Sequence, residues 1–221
     1  MIETFTCEQQ SPEWYKLRMG IPTASEYATV LAKPQKGSTE SKTRRTYLLK
    51  LAGERLTGAP MDSYSNTHTE RGQVMEEEAR HFYAFLQDAD CERVGFVKRG
   101  ATGCSPDSLI GADGMLEIKT ALPHILIDKI LRGGFPPEHK AQCQGGLLVT
   151  DREWIDLAIY WPGLPLFVKR AHRDEVYLQD LRIAIECFNE ELAEIVERVS
   201  RYGRPIKDQI EKAVEAAREE V

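Results

Sequence analysis

The sequence predicts an α/β or α+β fold in which helices flank a mixed central β-sheet. Two observations lead to this prediction. Apolar residues of the 221-residue chain first follow helical spacing, then change near residue 92 to the alternation typical of strands. A helix pair interrupts the strands, and two more strands and a closing helix follow it. This order of elements is typical of a mixed sheet covered by helices.

Four helical segments precede the strands. Ser11 is suited to cap the first, with Pro12 at its first position, and Thr23 or Ser25 begins the second. Gly58 is suited to end the third. The predicted ranges are 11–19, 23 or 25 to 32, 43–58 and 69–87. In the fourth segment, the residues spaced for one face are Val74, Ala79, Phe82 and Leu86.

Strand patterns occupy the middle of the chain. The predicted ranges are 92–100, 104–108, 114–120, 154–161 and 166–173. A glycine-containing turn, LIGADG, joins the second range to the third. Successive side chains of a strand point to opposite faces. Glu117 and Lys119 are therefore expected to share one face of their strand, and Leu116 and Ile118 the other.

Three more helices are expected, over 124–132, 138–149 and 176–201. Pro205 ends the last of them, because proline removes a helical hydrogen bond. Residues 1–203 are predicted to form a single domain, and 204–221 a polar helical tail. The tail is either a contact surface or a solvated helix.

Composition excludes several classes of protein. With 42% hydrophobic and 29% charged residues, the chain resembles a soluble globular protein. No apolar run reaches the roughly 18 residues that a membrane span needs. The first ten residues lack the basic and apolar regions of a signal peptide. Five scattered cysteines without a C-x-x-C pair indicate a reduced, cytoplasmic protein.

The charge of the chain is unevenly distributed. The net charge is −6, and residues 176–221 alone carry 11 acidic and 7 basic side chains. Residues 33–55 hold seven basic side chains against two acidic ones. Such a window is either a solvated helix face or a patch that binds phosphates. The basic members are Lys33, Lys36, Lys42, Arg44, Arg45, Lys50 and Arg55.

The stretch PDSLIGADGMLEIKT, residues 106–120, brings three ionisable groups together. Asp107 precedes the turn, while Glu117 and Lys119 follow it. Mg²⁺ prefers oxygen ligands and is usually held by one or two carboxylates. A lysine beside the metal would activate the attacking water, with its pKa lowered by burial and by the cation. The alternative is a surface salt bridge between Glu117 and Lys119.

The motif S-P-D followed by L-E-I-K resembles the metal site of the PD-(D/E)xK nucleases, which share a restriction-endonuclease-like core. Five blocks in order resemble the phage lambda-type exonucleases, the alkaline exonucleases of viral recombination, over residues 8–200. The blocks are WYKLRMGIPTASE, GQVMEEEAR, CSPD, LEIK and AQCQ.

The resemblance implies a set of catalytic residues. Asp107 and Glu117 would be metal ligands together with the backbone carbonyl of Ile118, and Lys119 would activate the water. Glu76 matches the helical glutamate that reaches the second metal position, although without the resemblance it reads as an exposed residue. Gln142 matches the glutamine that orients the water or the metal shell. Gln144 ranks second, because helical geometry points it elsewhere.

The resemblance also implies a pocket for a 5′-terminal phosphate. Its residues would be Arg18, Ser25 and Ser105, with Thr23 beside Ser25. A guanidinium is suited to this role, because it binds phosphate through two parallel hydrogen bonds. One departure concerns the loop after Pro34, where Gln35 replaces the arginine of the family and Lys36 supplies a point charge. Arg44 and Arg45 belong to the basic window, which would line the DNA channel.

The resemblance therefore predicts an Mg²⁺-dependent, processive 5′→3′ exonuclease, in which Mn²⁺ substitutes for Mg²⁺. It would degrade one strand of double-stranded DNA from its ends and leave 3′ overhangs for recombination. A ring-shaped homotrimer, a single-strand annealing protein as partner and a cytoplasmic location in the host of a phage or prophage are implied. Two alternatives are an endonuclease of the same fold and a non-catalytic DNA-end-binding scaffold.

Overall fold

A computed structural model of the protein describes residues 1–61 and 68–202. The strands are β1 Ile2–Phe5, β2 Cys91–Glu92, β3 Phe96–Arg99, β4 Thr102–Cys104, β5 Ser108–Ile110, β6 Gly114–Thr120, β7 Trp154–Tyr160 and β8 Phe167–His172. The α-helices are α1 Pro12–Arg18, α2 Tyr27–Val30, α3 Lys42–Thr57, α4 His68–Gln87, α5 Pro123–Arg132, α6 Lys140–Thr150 and α7 Glu175–Ser200. Short 3₁₀ turns, Ala24–Glu26 and Pro137–His139, precede α2 and α6.

The central sheet has the order β2-β5-β6-β7-β8. β6 and β7 are parallel, and the other neighbours in this sheet are antiparallel. The predicted mixed sheet flanked by helices is therefore confirmed. Helices α5 and α6 form the crossover between the parallel strands, which a direct hairpin cannot join.

A second sheet, β1-β3-β4, was not expected. Its first strand is an exposed edge that pairs with β3 from Ile2↔Arg99 to Phe5↔Phe96. Four largely exposed residues leave no burial pattern in the sequence. The partner strand therefore determines that they form a strand.

Two of the predicted strands are wrong as single strands, because each divides between the two sheets. The range 92–100 breaks at Gly95, where an added Cβ would lie 2.1 Å from the backbone oxygen of Cys7. The range 104–108 breaks at Pro106, which has no N–H to donate to a ladder. The segment between Cys104 and Ser108 thus leaves the small sheet and enters the large one.

Helices cover both faces of the central sheet. On one face, Met115, Ile155 and Leu157 belong to the larger core with residues of α3, α6 and α7. On the other face, Leu116 and Ile118 pack in a smaller core with residues of α4. Since side chains alternate along β6, Glu117 and Lys119 lie on the same side as Met115, towards α6.

The face predicted for α4 is wrong, although the helix itself is confirmed. Met75, Ala79 and Tyr83 are buried, whereas Val74, Phe82 and Leu86 are 61%, 54% and 55% exposed. Both stripes are apolar, so periodicity does not distinguish them. The buried stripe offers Ala79 for close approach to the sheet, and Tyr83 donates a 2.6 Å hydrogen bond to the buried carboxylate of Asp156.

The remaining predicted helices are confirmed within a few residues, and Ser11 caps α1 as expected by accepting from the backbone N–H of Trp14. The predicted tail, 204–221, lies outside the described residues, and the single domain over 1–203 remains a prediction. Among the described helices, none is both long and apolar enough to cross a bilayer.

Gly145 of α6 sets the distance between this helix and the turn Ala24–Glu26. A Cβ there would lie 2.2 Å from a ring carbon of Tyr27 and 3.3 Å from the Cβ of Ala24. Tyr27 is fully buried, so its ring has no open space into which to move.

We expect Gly145→Ala to lower the free energy of unfolding by about 1–3 kcal/mol, the usual cost of overpacking. Urea unfolding of both proteins measures it. The control is Gly134→Ala, on an exposed loop where no described atom lies within 4 Å of the added methyl group. Equal stability of the two variants would contradict this account of the α6 contact.

Candidate active site

Glu117 is a buried carboxylate at the centre of the predicted motif. Its side chain forms an ion pair with Lys119, and 2.8 Å separates Oε1 of Glu117 from Nζ of the lysine. The residue as a whole is 6% exposed. The side-chain amide of Gln142, on α6, donates to the same oxygen. The structure therefore brings three predicted catalytic residues together, in an ion pair whose carboxylate is buried and whose lysine side chain is 33% exposed.

Asp107 lies at the point where the chain enters the central sheet. One of its carboxylate oxygens accepts from the backbone N–H of Ile118, and Ser108 Oγ donates to the Asp107 carbonyl over 2.6 Å. The backbone immediately after Glu117 is thus tied to Asp107. This bond keeps the two carboxylates on one side of the hairpin that β5 and β6 form.

The electrostatics around Asp107 and Glu117 favour the binding of an added positive charge. Burial raises the pKa of Asp107, and the charges of Glu117 and Glu76 raise it further. Burial also raises the pKa of Glu117, although Lys119 opposes the rise. A buried carboxylate and a partly buried one, both with raised pKa values, lie beside one ammonium group, that of Lys119.

The expected lowering of the Lys119 pKa depends on burial and on a neighbouring cation, and the protein groups alone act on this pKa in both directions. Burial does lower the pKa of this ammonium group, but the charge and hydrogen bond of Glu117, together with Asp107, raise it more strongly. The net direction is upward. Two neighbouring carboxylates stabilise the protonated amine.

Glu76 lies on α4 at the other side of Asp107. Its Oε1 atom pairs with Nη2 of Arg80 at 2.6 Å, and Glu76 and Asp107 line one cavity of about 440 Å³. Among the described residues, no three His, Cys, Asp or Glu side chains are grouped to hold a metal ion. Glu76 as a metal ligand therefore remains a prediction.

The predicted phosphate-binding residues form one hydrogen-bonded cluster. Arg18 donates from Nη1 to Ser105 Oγ over 3.1 Å and from Nη2 to Thr23 Oγ1 over 3.2 Å. Ser25 Oγ lies 3.3 Å from Thr23 Oγ1. Thr23 and Ser25 lie at the start of the turn before α2, so this turn brings their hydroxyl groups together, and Thr23 links them to Arg18.

One cavity of about 220 Å³ joins this cluster to the carboxylates. Phosphate-binding candidates and catalytic candidates therefore face the same space. Its polar lining includes Arg18, Ser25, Ser105, Asp107, Glu117, Lys119 and Gln142.

Three predicted DNA-binding residues are not brought to this cavity. Arg44 pairs with both carboxylate oxygens of Glu191 on α7, at 2.6 and 2.7 Å. Arg45 lies 3.5 Å from Glu40, and Lys36 is exposed in the loop before α3. Part of the basic window is thus neutralised within the chain.

Gln144 has a structural role, as its lower rank anticipated. It is 4% exposed, donates to the His172 carbonyl over 2.8 Å and accepts from the Asp174 N–H over 2.9 Å. Both ends of the amide connect α6 to the segment between β8 and α7. Gln142 and Gln144 therefore face different surroundings, although both lie on α6.

Sequence reasoning missed three residues around the site. Arg80 is 4% exposed and donates to Glu76, Glu77 and the hydroxyl of Ser108. Its spacing of four from Glu76 on a helix was a usable signal. Gln9 donates to the Pro106 carbonyl over 3.1 Å, and Trp14 contacts Ser105. No local pattern identifies these two, because both contacts span about 90 residues.

The chain is similar to known proteins both in its sequence family and in its structure. The model of the YqaJ-like viral recombinase domain matches residues 13–153. LHK-Exo, an alkaline exonuclease from Laribacter hongkongensis also solved in complex with dAMP, matches at 30% identity with a TM-score of 0.77, over 86% of this chain and 97% of that one. A phage related exonuclease from Haemophilus somnus 129PT matches with a TM-score of 0.62. At 12% identity, over 84% and 99% of the chains, it shares the fold. No curated protein matches the chain.

The family match includes the Arg18 cluster, both carboxylates, Lys119 and Gln142. It spans more than half of the chain, and the match to LHK-Exo extends it to most of the remainder. The predicted family and its nuclease core are thereby confirmed. The chain belongs to the YqaJ-like viral recombinase family of phage lambda-type exonucleases, and it is a nuclease.

Proposed function

We propose that the protein is an Mg²⁺-dependent, processive 5′→3′ exonuclease that degrades one strand of double-stranded DNA from its ends. The single observation that carries the proposal is the shared cavity, in which a phosphate-binding cluster and a carboxylate–lysine site face each other. An enzyme that acts only at ends needs both a group that recognises the terminus and a group that cleaves beside it. The LHK-Exo complex with dAMP supports a nucleotide as ligand of this fold.

The chemistry of the donor set fits a divalent cation. Asp107 and Glu117 offer carboxylate oxygens, the ligands that Mg²⁺ prefers. Burial raises the pKa of both groups, and repulsion by neighbouring carboxylates raises it further. We propose these two residues and the Ile118 carbonyl as ligands, with Glu76 at the outer side and Mn²⁺ as a substitute ion. Such a cation neutralises charge on the phosphodiester and lowers the pKa of a bound water.

Other residues of the chain would orient the carboxylate and the attacking water and bind the terminal phosphate. Gln142 holds Oε1 of Glu117 and thereby orients that carboxylate. Lys119, beside the same carboxylate, would orient the attacking water, and would deprotonate it where a neighbouring cation lowers the pKa of the lysine. Arg18, Ser25, Ser105 and Thr23 bind the terminal phosphate and set which bond reaches the carboxylates. Arg18, Ser25 and Ser105 line the same cavity as the carboxylates, so this cavity would set the distance between the terminus and the cleavage point.

We further propose that the protein acts as a homotrimeric ring in the cytoplasm of its host and leaves 3′ overhangs for a single-strand annealing protein. The match to a viral recombinase domain supports the role in recombination. Lys36, Arg44 and Arg45 would lie along the DNA path. To contact DNA, Arg44 would either leave Glu191 or bind the DNA while still paired with it.

We expect Lys119→Ala to reduce digestion of linear duplex DNA in Mg²⁺ by about 10²-fold or more, the usual contribution of a positioned acid–base group. Gel analysis of strand-labelled DNA measures it, and EDTA should stop the wild type. Lys140→Ala is the matched control, since Lys140 has the same E-x-K spacing but pairs with Asp174 outside the cavity.

Covalently closed circular DNA serves as a second substrate in that assay. An end-dependent exonuclease leaves it intact, whereas cutting of the circle would favour the endonuclease. No digestion of either substrate in Mg²⁺ or Mn²⁺ would overturn the catalytic proposal in favour of the scaffold.

We expect Glu117→Gln to weaken binding of Mn²⁺ at least about tenfold, because a neutral amide replaces a charged oxygen ligand. Titration calorimetry on the metal-free protein measures the affinity without any DNA. Glu40→Gln is the control, since Glu40 is an exposed carboxylate beside Arg45. Unchanged Mn²⁺ affinity in Glu117→Gln would refute the assigned ligand.

We expect Arg18→Lys to reduce the preference for 5′-phosphate over 5′-hydroxyl ends by about tenfold or more, because lysine lacks the planar fork of arginine. The ratio of kcat/KM on the two ends measures it. Arg182→Lys, an exposed change on α7, is the control. A wild type without any preference would argue against the phosphate pocket.

A further inference from the structure

Trp14 on α1 contacts the phosphate-binding cluster in two ways. Its indole N–H donates to Ser105 Oγ and to the Gly95 carbonyl, with 2.8 and 3.1 Å between Nε1 and the two oxygens. The face of its ring lies under Arg18, with 4.1 Å between the guanidinium carbon and the ring centroid. One side chain therefore holds both a hydroxyl group and a guanidinium group of the proposed pocket.

The hydrogen bonds of Ser105 determine which way its hydroxyl acts. A serine hydroxyl has one proton to donate and two lone pairs that accept. Ser105 Oγ accepts from Trp14 Nε1 and from Arg18 Nη1, at 2.8 and 3.1 Å. Both lone pairs are occupied, so its remaining capacity is to donate.

The position of Arg18 is fixed by the same contacts. Its two terminal nitrogens are directed to Ser105 and Thr23, and the ring of Trp14 supports the plane of the guanidinium. Cation–π stacking of this kind orients an arginine without using any of its N–H groups. The guanidinium is therefore held in one place by two hydroxyl groups and one aromatic ring.

We propose that Trp14 is a positioning residue that makes this pocket selective for a phosphate terminus, by holding Ser105 as a hydrogen-bond donor and Arg18 in a fixed plane. The proposal rests on the proposed function and adds to it the origin of end selectivity. A phosphate oxygen only accepts hydrogen bonds and is charged, so it gains more from a fixed donor than a 5′-hydroxyl does. No contact between Trp14 and the DNA is required.

The test is Trp14→Phe, which retains an aromatic ring under Arg18 but removes the Nε1–H. Without that donor, one lone pair of Ser105 is released, and the hydroxyl is no longer held as a hydrogen-bond donor towards the cavity. We expect the affinity ratio between 5′-phosphate and 5′-hydroxyl duplexes to fall about tenfold, the equivalent of one charge-assisted hydrogen bond. Fluorescence anisotropy in EDTA measures it without catalysis.

Trp154→Phe is the matched control. Its ring also lies against a guanidinium, 3.6 Å from that of Arg170, but on the central sheet and outside the cavity. The same loss of an indole should leave the affinity ratio unchanged there. Thermal unfolding of both variants establishes that they are folded.

Ser105→Ala provides a second variant that does not depend on the stability of Trp14→Phe. We expect it to lower the ratio similarly, and Trp14→Phe to have little added effect in that background, since both changes remove the same donated bond. An unchanged ratio in folded Trp14→Phe, or fully additive effects, would overturn the positioning role. So would a wild type that binds both ends equally.

The outcome of this test is separable from that of the nuclease assay. A protein that prefers phosphate ends in EDTA but digests no DNA would keep the role of Trp14 and lose the exonuclease. A protein that digests DNA with equal affinity for both ends would lose the role of Trp14 and keep the exonuclease.

Discussion

The burial of the Glu117 carboxylate is the constraint on which the rest of the site depends. A charged group so far from water costs several kcal/mol unless it is paired and hydrogen-bonded. Lys119, two residues along the same strand, and Gln142, on α6, supply those partners. Both converge on a single oxygen, so strand and helix must keep their relative position for the carboxylate to remain charged at low cost.

Two features of the topology create that arrangement. The parallel pairing of β6 and β7 requires a crossover, and α6 of this crossover covers the face of β6 that carries Glu117. At Pro106 the chain passes from the small sheet to the central one. Ser105 consequently faces Arg18, while Asp107 is held against Ile118, and only Pro106 separates these two residues in the chain.

Much of the site was predictable from the sequence. Alternation along β6 correctly put Glu117 and Lys119 on one face, and helical geometry separated Gln142 from Gln144. The direction of the Lys119 pKa was not predictable, because it depends on two carboxylates at distances that only the folded chain sets. The partners of Arg44 and Ser105 were not predictable either. They are Glu191 and Trp14, which lie 147 and 91 residues away in the sequence.

The sequence by itself determined the fold class, most helix positions, the motif and its resemblance to a nuclease family. These follow from local patterns: period, caps, turns and the spacing of ionisable groups. Tertiary structure decided which apolar stripe of α4 meets the sheet, how the strands around Gly95 and Pro106 divide, and which cations stay paired within the chain. The physical reason is that these choices depend on steric fit and on charge partners distant in sequence, which local periodicity does not encode.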